Sequence, residues 1–137
     1  AWAPLAAGVL TGKYTRGGER DSLRAEANEA RGRLSETSLA VAKAVDEVAD
    51  DVGATSAQVA LAWVRAQGYR YIPIVGARKV EQIRDCMGAT AVQLTDAHLE
   101  RLDEVSRPDL GFPMKFLRSD GVLDLLRSEA RGRIDGR

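Results

Sequence analysis

The chain has 137 residues, 45% of them hydrophobic and 29% charged, with 20 basic side chains set against 20 acidic ones. That length suffices for one ordinary domain with its own core; the net charge of +0 argues against a general nucleic-acid or polyanion surface, though a local basic site is compatible with it. The single cysteine excludes an intrachain disulfide and a multi-cysteine metal site, a reducing cytoplasm is the default compartment, and no apolar run approaches the roughly 20 residues that span a bilayer.

The chain opens on AWAPLAAG, already apolar and without an initiator methionine or a signal-like stretch, so it reads as a piece of a longer protein. AWAPL (1–5) looks like the end of a strand running into a loop, because Pro4 biases Ala3 toward extended geometry. The loop continues through AAGVLTGKY, with Gly8 and Gly12 as flexible points. Residues 15–33 are polar, contain glycine and lack a steady apolar period, which predicts a long surface loop or lid with room for a short helix. From Ser35 to Val52 the apolar residues Leu39, Ala42, Val45, Val48, Ala49 and Val52 recur at threes and fours, the spacing of a helix. Gly53 stops it. Thr55 caps a second helix and Gln58, three residues on, completes a capping box; Val59, Ala62, Trp63 and Ala66 mark its inner stripe.

YRYIPIV (69–75) is rich in β-branched and aromatic residues and lies between helices, which predicts a buried parallel strand. The helix after it is expected to turn Val80, Ile83 and Met87 inward. Thr95 caps a further helix, with Leu94 stapling onto Leu99 and with Leu102 and Val105 on the same stripe. Beyond Pro108, Phe112, Phe116 and Leu117 are expected to pack onto the body, and residues 122–131 to form a last helix. The element order is α/β, yet two strands cannot make a covered parallel sheet, which again suggests a fragment.

Two glycine-bearing stretches invite a nucleotide reading. GVLTGKY is not a phosphate-binding P-loop, because three residues rather than four separate Gly8 from Gly12, and Tyr14 rather than Ser or Thr follows Lys13. IPIVGARKVEQI is more informative. Arg78 and Lys79 stand at the start of a helix, where the macrodipole disfavours positive charge. Free backbone N–H groups at a helix start bind anions, and a guanidinium fork matches phosphate oxygens. Gln82, one turn on, is within reach of the same ligand. Spacing alone leaves two readings open, a terminal-phosphate site and a solvated basic patch. In a (β/α)8 barrel, the loops after the last two strands often bind phosphate, and both special loops fall there if AWAPL closes the seventh strand and YIPIV is the eighth.

AWAPLAAGVLTGKY and SAQVALAWVRAQGYRYIPIVGARKVEQIRDC resemble the C-terminal half of aldo-keto reductases, over residues 1–14 and roughly 55–106. The likeness is greatest to the branch of bacterial reductases and potassium-channel β subunits. It implies the C-terminal part of a (β/α)8 barrel, one domain fragment spanning 1–137, with NADPH/NADP+ as cofactor. By resemblance, Trp2 corresponds to the aromatic residue stacked on the nicotinamide, and Ala3, Pro4 and Leu5 to the turn along the pyrophosphate. Lys13 corresponds to a lysine of the covering loop, and Gly76, Ala77, Arg78 and Lys79 to the segment around the 2′-phosphate. Gln82, Asp85 and Cys86 stand where the family has Gln, Glu and Asn around that phosphate and the adenine. Ala3 in place of the usual Ser removes a hydroxyl, Asp85 is one methylene shorter than Glu, and Cys86 forfeits an amide. The resemblance further implies a carbonyl substrate, a catalytic Asp, Tyr, Lys and His group outside this chain, and the remaining barrel half as partner. No catalytic residue and no metal site is assigned here; His98 is expected at the surface or in a helix cap.

Overall fold

The computed structural model describes residues 1–18, 23–68 and 70–127. The chain forms two compact units, Ala1–Ser106 and Arg107–Arg137. In the first, a 3-10 turn at Ala6–Thr11 precedes α1 (Leu23–Ala30), α2 (Glu36–Val52), α3 (Ser56–Ala66), α4 (Val80–Gly88) and α5 (Asp96–Ser106). The second contains α6 (Gly111–Leu117) and α7 (Asp120–Arg127).

The helix α2 is the organising element of the first unit and packs on α3, on α5 and on the 3-10 turn. Its limits follow from local chemistry. The Ser35 hydroxyl accepts the Ser38 amide at 3.2 Å, satisfying one of the N–H groups a helix start leaves open. Gly53 ends the helix with φ 65°, in the left-handed region that glycine enters without steric cost. The predicted capping box of α3 forms: the Thr55 hydroxyl accepts the Gln58 amide at 3.2 Å, and the Thr55 amide donates to Gln58 Oε1 at 3.3 Å. Thr95 caps α5 in a similar reciprocal way, with His98 Nδ1 as the returning acceptor. The core joins Val45, Val48 and Ala49 of α2 to Val59 and Ala60 of α3 and Leu102 of α5. Trp63 packs against its edge, and its indole N–H donates to Asp103 of α5 at 2.7 Å. Ala66, expected on the inner stripe, is exposed.

The α/β expectation is corrected in one respect, because the described residues carry helices and no strand. A strand exists through its ladder, and among the described residues the segment 70–77 pairs through Ala1. The Ala1 ammonium donates to the Ile72 carbonyl at 2.6 Å, and the Ile74 amide donates to the Ala1 carbonyl at 2.9 Å. That pair of bonds is a single step of parallel pairing. Ile72 and Ile74 are exposed rather than buried, and Tyr69 lies outside the described residues. The inward face predicted for α4 is corrected too, since Val80 and Met87 are exposed and Ile83 lies at the margin of exposure. This helix rests on α3 by another surface, at Gly88, where an added Cβ would stand 2.4 Å from Gln58 Nε2 and 3.0 Å from its Cδ. Gln58 cannot simply swing away, because Nε2 donates to the Asp85 carbonyl and carboxylate at 3.0 and 2.9 Å. Helical Gly→Ala changes ordinarily gain up to about 1 kcal/mol. Gly88→Ala is instead expected to destabilise by roughly 1–3 kcal/mol, the usual cost of overpacking, read from the urea midpoint; a raised midpoint would count against this contact.

In the second unit, Phe112, Phe116 and Leu117 are exposed, a correction to their expected burial. The two phenyl rings are 6.1 Å apart between centroids, and so short a helix pair has too little surface to cover them. The last helix starts two residues earlier than predicted, and its expected end at 131 lies outside the described residues.

Candidate functional site

The first candidate segment is the turn after Ala1. Trp2 is 83% exposed, so its indole face is open to a flat ligand. Ala3, Ala6 and Ala7 have φ of 50°, 48° and 56°, a region that costs an L-residue roughly 1–2 kcal/mol. Strain of this kind concentrates at functional turns. Hydrogen bonds within the turn include the Ala6 amide to the Ala3 carbonyl at 2.9 Å, the Gly8 and Leu10 amides to the Leu5 carbonyl at 2.8 and 3.3 Å, and the Thr11 hydroxyl to the Gly8 carbonyl at 2.8 Å. Pro4 is half-buried, and Leu5, also half-buried, anchors the turn against the α2–α3 core.

Lys13 follows, half-buried, with Nζ 5.6 Å from the centroid of the Tyr14 ring. Tyr14 is buried, and its hydroxyl accepts from Asn28 Nδ2 at 3.0 Å. Asn28, 1% exposed, also reaches the Ala7 carbonyl at 3.2 Å and accepts from Arg33 at 3.3 Å. This asparagine ties α1 to the turn, and nothing in the polar stretch 15–33 marked it. Arg16 makes the second tie. Its guanidinium donates to the Asp46 carbonyl at 2.6 Å, pairs with the Asp46 carboxylate at 3.3 Å and with Asp50 at 2.8 Å. The bond to Asp50, followed by those to Asp46, holds Arg16 more firmly protonated than a free arginine. Asp46 is buried and accepts the Ser56 hydroxyl at 2.5 Å. A signal for it did exist: a carboxylate four residues after Ala42, inside an apolar stripe, needs a partner.

The second candidate segment runs from Gly76 into α4. Gly76, Ala77, Arg78 and Lys79 are exposed. Among the described residues, no ion pair or side-chain hydrogen bond engages either cation. Gln82 folds back so that Oε1 accepts the Arg78 amide at 2.9 Å and the Lys79 amide at 3.3 Å. Two of the backbone N–H groups at this end, those of Arg78 and Lys79, are therefore occupied by the protein's own carboxamide, and the two charged side chains remain open. Asp85 turns away from that end: its carboxylate accepts from the Thr55 hydroxyl and from Gln58 Nε2, both at 2.9 Å. Cys86 is half-buried, and burial, with the nearby Asp85 charge second, pushes its thiol pKa up. A raised value makes the thiol a poor nucleophile at neutral pH.

The geometry thus joins the Trp2 turn to the 72–74 segment through Ala1, and joins both candidate segments to the start of α3. It does not bring Asp85 to the cation pair. A cavity of about 490 Å³ lies in the second unit, lined by Arg107, Pro108, Asp109, Leu110, Lys115 and Arg118; none of these is a predicted site residue. Among the described residues, no helix is long and apolar enough to cross a membrane.

Residues 1–107 match the family model described as "Aldo/keto reductase family". A protein of Schizosaccharomyces pombe named as a voltage-gated potassium channel subunit beta is 35% identical over 111 residues, covering 76% of this chain and 32% of its own length. Norsolorinic acid reductase B of Aspergillus parasiticus is 38% identical over 116 residues, covering 80% of this chain and 30% of its own. An oxidoreductase of Bacillus subtilis is 35% identical over 107 residues, covering 77% and 31%. The chain spans about a third of the length of these three curated relatives.

Proposed function

The chain belongs to the aldo/keto reductase family, and from that premise we propose that it is the cofactor-binding portion of an NADPH-dependent reductase of aldehydes and ketones. The family implies a TIM-barrel fold, oxidoreductase chemistry and NAD(P)H. On this reading the chain supplies the last two strands with their helices, and the remaining barrel half is its partner. NADPH supplies the hydride that reduces a carbonyl carbon to an alcohol carbon. The proton for the oxygen comes from the family's tyrosine, which has no recognisable motif in this chain, so the chain by itself does not turn over substrate. A cytoplasmic setting fits the single free cysteine.

The chain's own residues then bind and orient. The open face of Trp2 stacks the nicotinamide. Ala3, Pro4 and Leu5 present backbone along the pyrophosphate, and Lys13 covers it. Arg78 and Lys79 hold the 2′-phosphate from their side chains, with Gly76 and Ala77 allowing close approach. Gln82 keeps the helix end capped, and Cys86 stands beside the adenine. The observation that carries the reading is the pair of exposed cations, free of acidic partners among the described residues, at a helix start where the dipole opposes them. Titration of the chain with NADP+ and NAD+ side by side tests it: NADP+ is expected to bind at least about tenfold more tightly, one charge-assisted contact's worth. Equal affinities would refute the phosphate site.

A second reading follows from the relatives named as voltage-gated potassium channel β subunits, 35% and 36% identical. The same cofactor site would then serve a regulatory subunit, and capture of a channel domain without carbonyl turnover would favour it. On either reading the exposed Ile72, Ile74, Val80 and Met87 are apolar surface that other strands and helices would cover. Exposed apolar faces associate, so sedimentation velocity is expected to show concentration-dependent self-association, reduced by Ile72→Lys with Ile74→Lys. A monomer at all concentrations would contradict it.

A further inference from the structure

We propose that the start of α3, through Thr55, Ser56 and Gln58, is the positioning device that fixes the Lys13 loop and the Arg78–Lys79 pair relative to each other; this rests on the NADPH reading of the two segments. A capping box needs only the reciprocal bonds between Thr55 and Gln58. Here each group has a second partner beyond its own helix. The Thr55 hydroxyl accepts the Gln58 amide and donates to Asp85 of α4 at 2.9 Å. Gln58 spends Oε1 on the cap and Nε2 on both the carbonyl and the carboxylate of Asp85. Ser56, between them, donates at 2.5 Å to the buried Asp46, which also pairs with Arg16.

The two arms therefore diverge from one turn of helix. One runs from Ser56 through Asp46 and Arg16 to the loop of Lys13, and the other from Gln58 and Thr55 through Asp85 to the helix of Arg78 and Lys79. Gly12 seals the first arm. An added Cβ there would lie 3.2 Å from Ser56 Oγ and 3.4 Å from Asp46 Oδ1, and its φ is 77°, so the loop passes directly over the serine. Stability does not call for this arrangement. A buried carboxylate is seldom better than an apolar residue of similar volume, and Asp46 lies among the buried residues of α2. Its use is to hold Arg16, and through it the chain segment next to Lys13. The assignment also accounts for Asp85, which faces α3 rather than the cations: it is a positioning residue and not a ligand.

Double-mutant cycles on NADP+ affinity of the full chain separate positioning from mere stability. Ser56→Ala and Gln58→Ala are each expected to weaken NADP+ roughly two- to tenfold, the range of one hydrogen bond. The effect of Ser56→Ala should vanish when Lys13→Ala is already present, yet persist in Arg78→Ala/Lys79→Ala. Gln58→Ala should show the opposite pattern. Gln58→Glu keeps the cap acceptor and removes the donor to Asp85, so it should reproduce Gln58→Ala if that variant unfolds. Additive effects in all backgrounds would overturn the proposal while the NADPH reading stands. Unchanged NADP+ affinity in Arg78→Ala/Lys79→Ala, or no NADP+ binding by the chain, would remove both.

Discussion

Arg78→Ala is expected to weaken NADP+ binding roughly ten- to a hundredfold, as loss of a charge-assisted contact to a phosphate does, while leaving NAD+ affinity within about twofold. The asymmetry follows from the geometry. Arg78 is exposed at the start of α4, and its backbone amide is already bonded to Gln82, so its contribution to an anion lies in the guanidinium alone. Removing that group does not uncap the helix. Arg78→Lys should recover only part of the loss, because an ammonium cannot present a planar fork to two phosphate oxygens. Competition titrations with the two dinucleotides check both statements. Equal losses for NADP+ and NAD+ would mean that Arg78 contributes only general positive charge.

The largest stability effect belongs to Leu102→Ala. Leu102 is fully buried in the cluster that joins α2, α3 and α5. Truncating a leucine in such a site costs roughly 2–5 kcal/mol, the transfer term plus the cavity left behind. Against the 5–15 kcal/mol typical of a domain, that is a large part of the total, and the thermal midpoint should fall by roughly 10 °C or more. Leu125→Ala serves as the contrast, since Leu125 is 81% exposed and its loss should move the midpoint by no more than about 2 °C. Comparable shifts for the two variants would contradict the assignment of the core.

The helices α2, α3 and α5 were legible because their signals are local. Ser35, Thr55 and Thr95 precede apolar residues at threes and fours, and each hydroxyl does accept an amide of its helix. Val45, Val48, Val59 and Leu102 are buried as their periodicity required. What the sequence obscured depends on distant chain. IPIV has the composition of a buried strand, yet burial and pairing come from neighbouring strands, and among the described residues its backbone pairs with Ala1 alone. Val80 and Met87 follow the same logic on α4. Spacing singled out Arg78, Lys79 and Gln82 as candidates, because cations at a helix start defy a local preference. It could not tell that Asp85 would face α3, since Thr55 and Gln58 are 30 and 27 residues away. Arg16 and Asn28 escaped for the same reason: their roles exist only once the loop folds onto α2.

On the proposed reading, the segment from Gly76 to Gln82 receives a 2′-phosphate. Backbone amide shifts of the chain during titration with 2′,5′-ADP, compared with 5′-AMP, test it most directly. Shifts are expected to concentrate at Gly76, Ala77, Arg78, Lys79 and Gln82 with 2′,5′-ADP, and to be much smaller there with 5′-AMP. Indistinguishable responses to the two nucleotides, or shifts gathered instead around Arg107, Lys115 and Arg118, would contradict it.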